Sequence, residues 1–290
     1  MLKGSGGGHA ASRTAAFGSP RDFLENRFVY VVVSPRARGL SVGVNMNPDQ
    51  QCNFDCAYCE VDRAKPGRQQ LDVEVMATEL ETTLALARSG GLRSRAPFVK
   101  LPPELLQLRH VALSGDGEPT LSPVFLAAVQ TVMHLRAKGS GPFFKIVLFT
   151  NASHLDDPQV RAGLQLFTRH DEVWAKLEAG TQAYLERVNG TEHSIEKITA
   201  DILALARQRP VIIQSLFPMQ DGVPLGEQEI EAYALRLRAL REAGAMIPLV
   251  QIYSATRPMA RPRCGHLPLR RLTQIAQMVR QVAGLNAEVF

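Results

Sequence analysis

Cysteine is scarce in this chain: four residues among 290, three of them crowded into positions 52 to 59. Thiols so few and so unevenly placed exclude a disulfide framework. No apolar run approaches the roughly 20 residues needed to cross a bilayer as a helix, so no membrane association is expected. The opening stretch, MLKGSGGGHAASRTAAFGSP, lacks the apolar h-region of a secretory signal. It is rich in Gly, Ser and Ala, and residues 1–30 are expected to form a flexible tail. The expected compartment is the reducing cytoplasm, where clustered cysteines serve as metal ligands or reactive thiols. Acidic residues are missing altogether from 243 to 287, a stretch that carries Arg257, Arg261, Arg263, Arg270, Arg271 and Arg280. A net charge of +5 is too small by itself to indicate nucleic acid. The arginine-rich end reads in two ways: a surface paired with acidic helix faces such as Glu227, Glu229 and Glu231, or a site for an anionic partner.

What is present is a chain 45% hydrophobic, enough for a sizeable core. Short apolar runs alternate with longer helical patterns. Strands are expected at 41–46, 110–114, 145–151, 172–180, 211–217 and 248–254. Helices are expected at 71–90 (stopped by Gly90), 122–139 (opened by Ser122-Pro123), 157–169, on either side of the NGTEH turn, at 227–244 and at 268–283. About six strand–helix units in alternation indicate an α/β fold with a parallel sheet. An incomplete barrel and a doubly wound sheet both fit, and both place the site at the C-terminal strand ends. The core is expected over 31–255. Residues 256–290, with prolines 258, 262 and 268, are expected to form a basic extension over the mouth. Arg257 is the arginine expected to touch substrate or cofactor.

The chemistry concentrates in CNFDCAYCE, with spacing Cys52-x3-Cys56-x2-Cys59. A structural zinc wants four protein ligands. Here the neighbours are Asp55 and Glu60, and no second CxxC or HxxxH follows. Three cysteines on one loop suit a [4Fe–4S] cluster with one iron open to a ligand.

CxxxCxxC with an aromatic residue, Tyr58, before the last cysteine resembles the signature of the radical S-adenosylmethionine (SAM) superfamily. So does its place after the first strand of an alternating α/β chain. The resemblance implies a partial (β/α)6 TIM-like barrel. It implies that Cys52, Cys56 and Cys59 hold the cluster and that the open iron chelates SAM. It further implies reductive cleavage to methionine and a 5′-deoxyadenosyl radical, with an external flavodoxin- or ferredoxin-like electron donor. SGDGEPTL (114–121) is similar to the family's glycine-glycine-glutamate-proline segment. Gly115, Gly117, Glu118 and Pro119 correspond to it, Asp116 is inserted, and Glu118 would pair with the SAM ammonium. Thr150 and Asn151 would suit a ribose or methionine contact. Lys176, Glu178, Gln214 and Ser215 would line the lumen, since alternate strand positions face inward.

Together with SPRARGLSVGVNM, TNAS, KLEAG and SATRP, these segments resemble a poorly characterised subgroup called Fe–S oxidoreductases. That subgroup is related to the wyosine-base tRNA synthetases. The substrate does not follow from the resemblance, though an anionic molecule or RNA would suit the arginine-rich end. The competing reading is a non-catalytic Fe–S redox sensor that binds nucleic acid. Such a sensor has no need of SGDGEPTL on a neighbouring strand end. Cys264 is too isolated for a second cluster, and a lone Cys is usually inert, a hydrogen-atom donor being the functional alternative. His266 beside it does not complete a metal site. His110 and His134 read as structural.

Overall fold

The computed structural model describes residues 23–64, 67, 69–139, 141–255 and 264–290. The chain order is β1 (Val29–Ser34), β2 (Gly39–Asn45), α1 (Val73–Arg88), β3 (Leu108–Ser114), α2 (Phe125–Lys138), β4 (Lys145–Thr150), α3 (Pro158–Gln165) and β5 (Glu172–Lys176). It continues with α4 (Gln182–Asn189), α5 (Ile195–Ala206), β6 (Val211–Leu216), β7 (Pro218–Gln220), α6 (Glu227–Glu242), β8 (Val250–Tyr253), β9 (Cys264–His266), α7 (Leu269–Met278) and β10 (Ala287–Val289).

One eight-stranded sheet runs β1-β2-β3-β4-β5-β6-β8-β10, and β7 pairs separately with β9. All pairings in the large sheet are parallel except β1 with β2. The six expected strands are β2, β3, β4, β5, β6 and β8, and the sheet is the curled half-barrel of a partial TIM-like fold. The helices start where side chains cap them. Asp72, Asp157, Thr181 and Ser194 each accept backbone N–H groups of the first turn.

The register separates two faces. Val42, Val111, Ile146, Val173, Val211 and Val250 belong to one face, which is apolar and fully buried. The opposite face carries polar rows on either side of a band that includes Phe149, Trp174 and Ile212. Ser41, His110 and Lys145 form one row; Lys176, Gln214, Gln251 and Glu288 form another. Strict period-2 alternation assigns Gln214 and Ser215 to different faces. Ser215 meets the helix layer, where its hydroxyl bonds Tyr233 of α6 and the Leu177 carbonyl, both at 2.6 Å.

The ends of the chain add what the alternation omitted. Phe23 and Phe28 are buried and Val29 opens a strand, so residues 23–30 are packed rather than tail; 1–22 lie outside the described residues. The C-terminal region enters the sheet as β10 beside β8. The β1–β2 hairpin reaches across to that opposite edge. Arg38 pairs with Glu288 of β10 at 3.1 Å, and the Arg36 guanidinium lies 4.1 Å over the Tyr253 ring.

Candidate active site

A cavity of about 520 Å³ opens at the C-terminal strand ends and extends to the β1–β2 hairpin. Cys52, Cys56 and Cys59 line it together with Gly115, Asp116, Gly117 and Glu118, so the two sequence motifs meet in space. Tyr58, Asn151 and Lys176 also line it; Pro119, Glu178 and Gln214 do not. Pro119 opens the short 3-10 turn after Glu118.

The cysteine loop is held at nearly every residue. The Glu118 N–H donates to the Gln51 carbonyl at 2.9 Å. The Asn53 side chain donates to Ser153 Oγ at 2.7 Å and lies 2.9 Å from His193 Nε2, while its Oδ1 accepts from Asn151 at 2.8 Å. The Asp55 and Ala57 N–H groups donate to the Asn189 and Val188 carbonyls at the end of α4. Two glycines permit these approaches. A Cβ on Gly117 would fall 1.8 Å from the Gln51 carbonyl oxygen. Gly190, in the left-handed region at φ 54°, caps α4, and a Cβ there would meet the Asp55 carbonyl oxygen at 2.6 Å.

Asn189 is the residue the sequence did not single out. Asn-Gly read as a turn between helices, which it is, but nothing in that signal says where the amide points. Its Nδ2 lies 3.4 Å from Cys56 Sγ, 3.1 Å from the Tyr58 hydroxyl and 2.8 Å from Glu178 Oε1. Above Tyr58, Lys176 Nζ sits 4.5 Å from the ring centroid and 3.7 Å from Glu178 Oε1. Burial pushes the Glu178 carboxyl up to about 8, against the hydrogen bonds it accepts from Asn189 and the Leu216 backbone.

Glu118 is 3% exposed and committed to the protein. Its Oε1 accepts from Thr120 N–H at 3.2 Å, Thr120 Oγ1 at 2.7 Å and Thr150 Oγ1 at 2.6 Å; its Oε2 accepts from Asn151 N–H at 2.7 Å. Two carboxylate oxygens have about four acceptor positions, and Oε2 keeps one for a further donor. Burial raises its pKa against these four donors. Asp116, the inserted residue, is tied to Asn45: its N–H donates to Asn45 Oδ1 at 3.0 Å and its Oδ2 accepts from Asn45 Nδ2 at 2.6 Å.

Three thiols on one loop are the donor type that an iron–sulfur cluster would take. Among the described residues no three His, Cys, Asp or Glu converge as a site for one metal ion. Cluster thiolates bind different irons and so stand apart around one centre. Burial raises the Cys52 thiol and pushes Cys56 up to about 12, a cost that a bound iron would remove by taking the thiolate directly. Arg63, another residue missed in the sequence, lines the same cavity. Burial works against its charge, but Cys52 and Cys59 beside it hold its pKa up.

The arginine-rich end divides. Arg271 bonds Glu227 and the Leu225 carbonyl, and Arg280 bonds the Ala287 carbonyl, so both are held within the fold. Arg270 is exposed; Arg257, Arg261 and Arg263 lie outside the described residues. Cys264 is buried in β9 against Gln220 and does not line the cavity; burial raises its pKa. His134 is exposed on α2, whereas His110 is buried, with Nε2 2.8 Å from Ser41 Oγ. No helix among the described residues is long and apolar enough to cross a membrane.

No family model matches the chain. Two curated relatives, both named UPF0026 protein and from two strains of Helicobacter pylori, are 29% and 31% identical over 184 residues. The match covers 62% of this chain and 52% of each relative, so the chain spans about half the length of the curated relatives it matches. Among solved structures, a radical SAM methyltransferase from Sphaerobacter thermophilus superposes with a TM-score of 0.63 at 17% identity, over 90% of this chain and 68% of that one. A structure of TYW1 with a lysine-pyruvate adduct bound gives 0.56 at 16%, over 84% and 74%. Native anSMEcpe with bound AdoMet gives 0.52 at 14%, over 86% and 64%. At such identities the likeness shows the fold. The fold expected from the sequence and the fold of these solved structures agree.

Proposed function

We propose that this protein is a radical SAM enzyme whose cavity at the C-terminal strand ends is the reaction site. The observation that carries the reading is the meeting of two motifs: the CxxxCxxC loop and the Gly115–Glu118 segment line one cavity and are bonded to each other through Gln51 and Glu118. Cys52, Cys56 and Cys59 would hold a [4Fe–4S] cluster. When bound, it would supply the electron that cleaves SAM reductively to methionine and a 5′-deoxyadenosyl radical, with an external flavodoxin- or ferredoxin-like donor restoring it.

The protein's own residues bind, orient and shield. Gly115 and Gly117 let backbone approach the ligand, and Glu118 Oε2 keeps one acceptor position for the SAM ammonium. Lys176 and Tyr58 form one wall. Glu178 and Asn189 back that wall, bonded to each other and to Lys176 and Tyr58 respectively. The coarse conclusion, an enzyme of this class, is also favoured by the structural neighbours over a redox sensor. Internal bonding of Arg271 and Arg280 takes two arginines from any RNA surface, so the RNA-modifying alternative gains nothing from them.

The test is anaerobic reconstitution. The chain should take up about four irons, and replacing Cys52, Cys56 or Cys59 with Ala should remove most of them. Reduced protein should form 5′-deoxyadenosine from SAM without added substrate. Full iron content in the triple variant would overturn the assignment.

A further inference from the structure

The cavity has a second end that the cysteine motif does not account for. Its lining includes Ser34, Pro35, Arg36, Tyr253 and Phe290 as well as the cysteines. Arg36 lies at the β1–β2 turn, before the start of β2, whereas the cysteine loop follows the end of β2. The guanidinium itself is carried to Tyr253, the last residue of β8, which pairs with Leu216 at the end of β6.

Arg36 is half-buried, and its guanidinium rests 4.1 Å over the Tyr253 ring. Among the described residues it has no hydrogen-bond or ion-pair partner, and neither has the Tyr253 hydroxyl. Its neighbour Arg38 behaves in the ordinary way, 75% exposed and paired with Glu288. A guanidinium carries five N–H donors in a fixed plane. Stacking on an aromatic face holds that plane but satisfies none of the donors. The carboxylates lining the cavity, Glu60, Asp116 and Glu118, all belong to the cysteine loop or the 115–118 segment. The chain continuing from β8, residues 256–263, contains no Asp or Glu. The Arg36 charge also reaches the lumen: after burial and Lys145, it is a cause of the low pKa of His110.

We propose that Arg36, held by Tyr253, forms an oxyanion subsite that anchors a carboxylate or phosphate of the substrate. This rests on the reading of the cavity as the reaction site and adds a substrate class to it: a small molecule with a terminal anionic group. A planar guanidinium presents two parallel N–H donors to either anion. The Tyr253 hydroxyl supplies a further donor beside them.

The subsite is tested on the full chain before any cluster is loaded, so its outcome is separate from the iron and SAM-cleavage results. Inorganic phosphate and acetate are titrated calorimetrically at constant ionic strength against the parent, Arg36→Met, Tyr253→Leu and Arg38→Ala. Saturable binding of one or both anions is expected in the parent and in Arg38→Ala. Arg36→Met, which keeps an apolar stem on the ring, should bind about tenfold or more weaker. Tyr253→Leu should also weaken binding, by freeing the guanidinium. Tighter phosphate than acetate assigns a phosphorylated substrate, and the reverse a carboxylate. Should Arg36→Met fail to fold by circular dichroism, Arg36→Lys replaces it, with loss of the bidentate contact and weaker binding expected. Absence of saturable binding in the parent, or equal binding in the folded Arg36 variant, overturns the proposal.

Discussion

The side-chain amide of Asn189 lies 3.4 Å from the sulfur of Cys56 and donates toward it from the end of α4. It is a contact between a helix terminus and a loop more than a hundred residues earlier. Groups that hydrogen-bond a metal ligand fix its orientation, and losing one typically costs 10–100-fold in metal affinity. Asn189→Ala should therefore load iron but release it to a chelator about 10–100-fold more readily than the parent. Equal iron release in the two proteins would reduce Asn189 to a helix cap.

Gly117 tests whether the two motifs are one unit. With a Cβ 1.8 Å from the Gln51 carbonyl oxygen, Gly117→Ala must move either its own segment or the cysteine loop. Iron uptake should fall although no ligand has been touched. Gly226→Ala, on a glycine with open space around it and, like Gly117, no positive φ, is the control for a glycine substitution by itself. Similar iron uptake in both variants would sink the argument.

Glu118 should matter for stability as well as for SAM. Removing its carboxylate leaves the Thr150 hydroxyl and the Asn151 N–H buried without their acceptor. Each unsatisfied buried donor costs about 1–3 kcal/mol. Glu118→Ala should lower the urea midpoint of the chain without any ligand, and Glu118→Gln, which keeps one oxygen, should lower it less. A ligand-only role would leave both midpoints at the parent value.

His110 gives the chain a dependence on acid. Burial first, then Lys145 and Arg36, lower its pKa from 6.5 to about 3, so the folded state holds it neutral. Between those values the unfolded chain binds a proton that the folded chain does not, so stability rises with pH. The contribution is complete above pH 6.5 and is lost as pH falls toward 3, amounting to about 2 kcal/mol between pH 7.5 and pH 5. Urea titrations at the two pH values should show that difference shrink in His110→Gln. An unchanged difference would show that other groups carry the acid sensitivity.

Periodicity and spacing determined much of this protein. Strand and helix follow from where apolar residues recur, a local property, and all six expected parallel strands are present. Three cysteines within one loop already limit the metal chemistry, because chain connectivity keeps them close in any fold. The glycines of SGDGEPTL likewise marked a place of close backbone approach. The outer strands were not legible. β1 joins by an antiparallel hairpin outside the alternation, and β10 is three residues long, too short to show a period.

Other relationships exist only because the sheet curls. Asn189 faces Cys56, and Arg36 faces Tyr253, across separations that no local pattern encodes. The sequence offers Glu118 as a candidate partner for the SAM ammonium but does not reveal it as the acceptor for Thr150 and Asn151, since those donors come from the next strand end. The pairing of Arg271 with Glu227 was one of two open readings, and the packing of α7 near α6 decided it. Sequence sets which groups can react or bind. The tertiary fold decides which of them have their bonds already filled by neighbours, because burial forces each polar group to find a partner within reach.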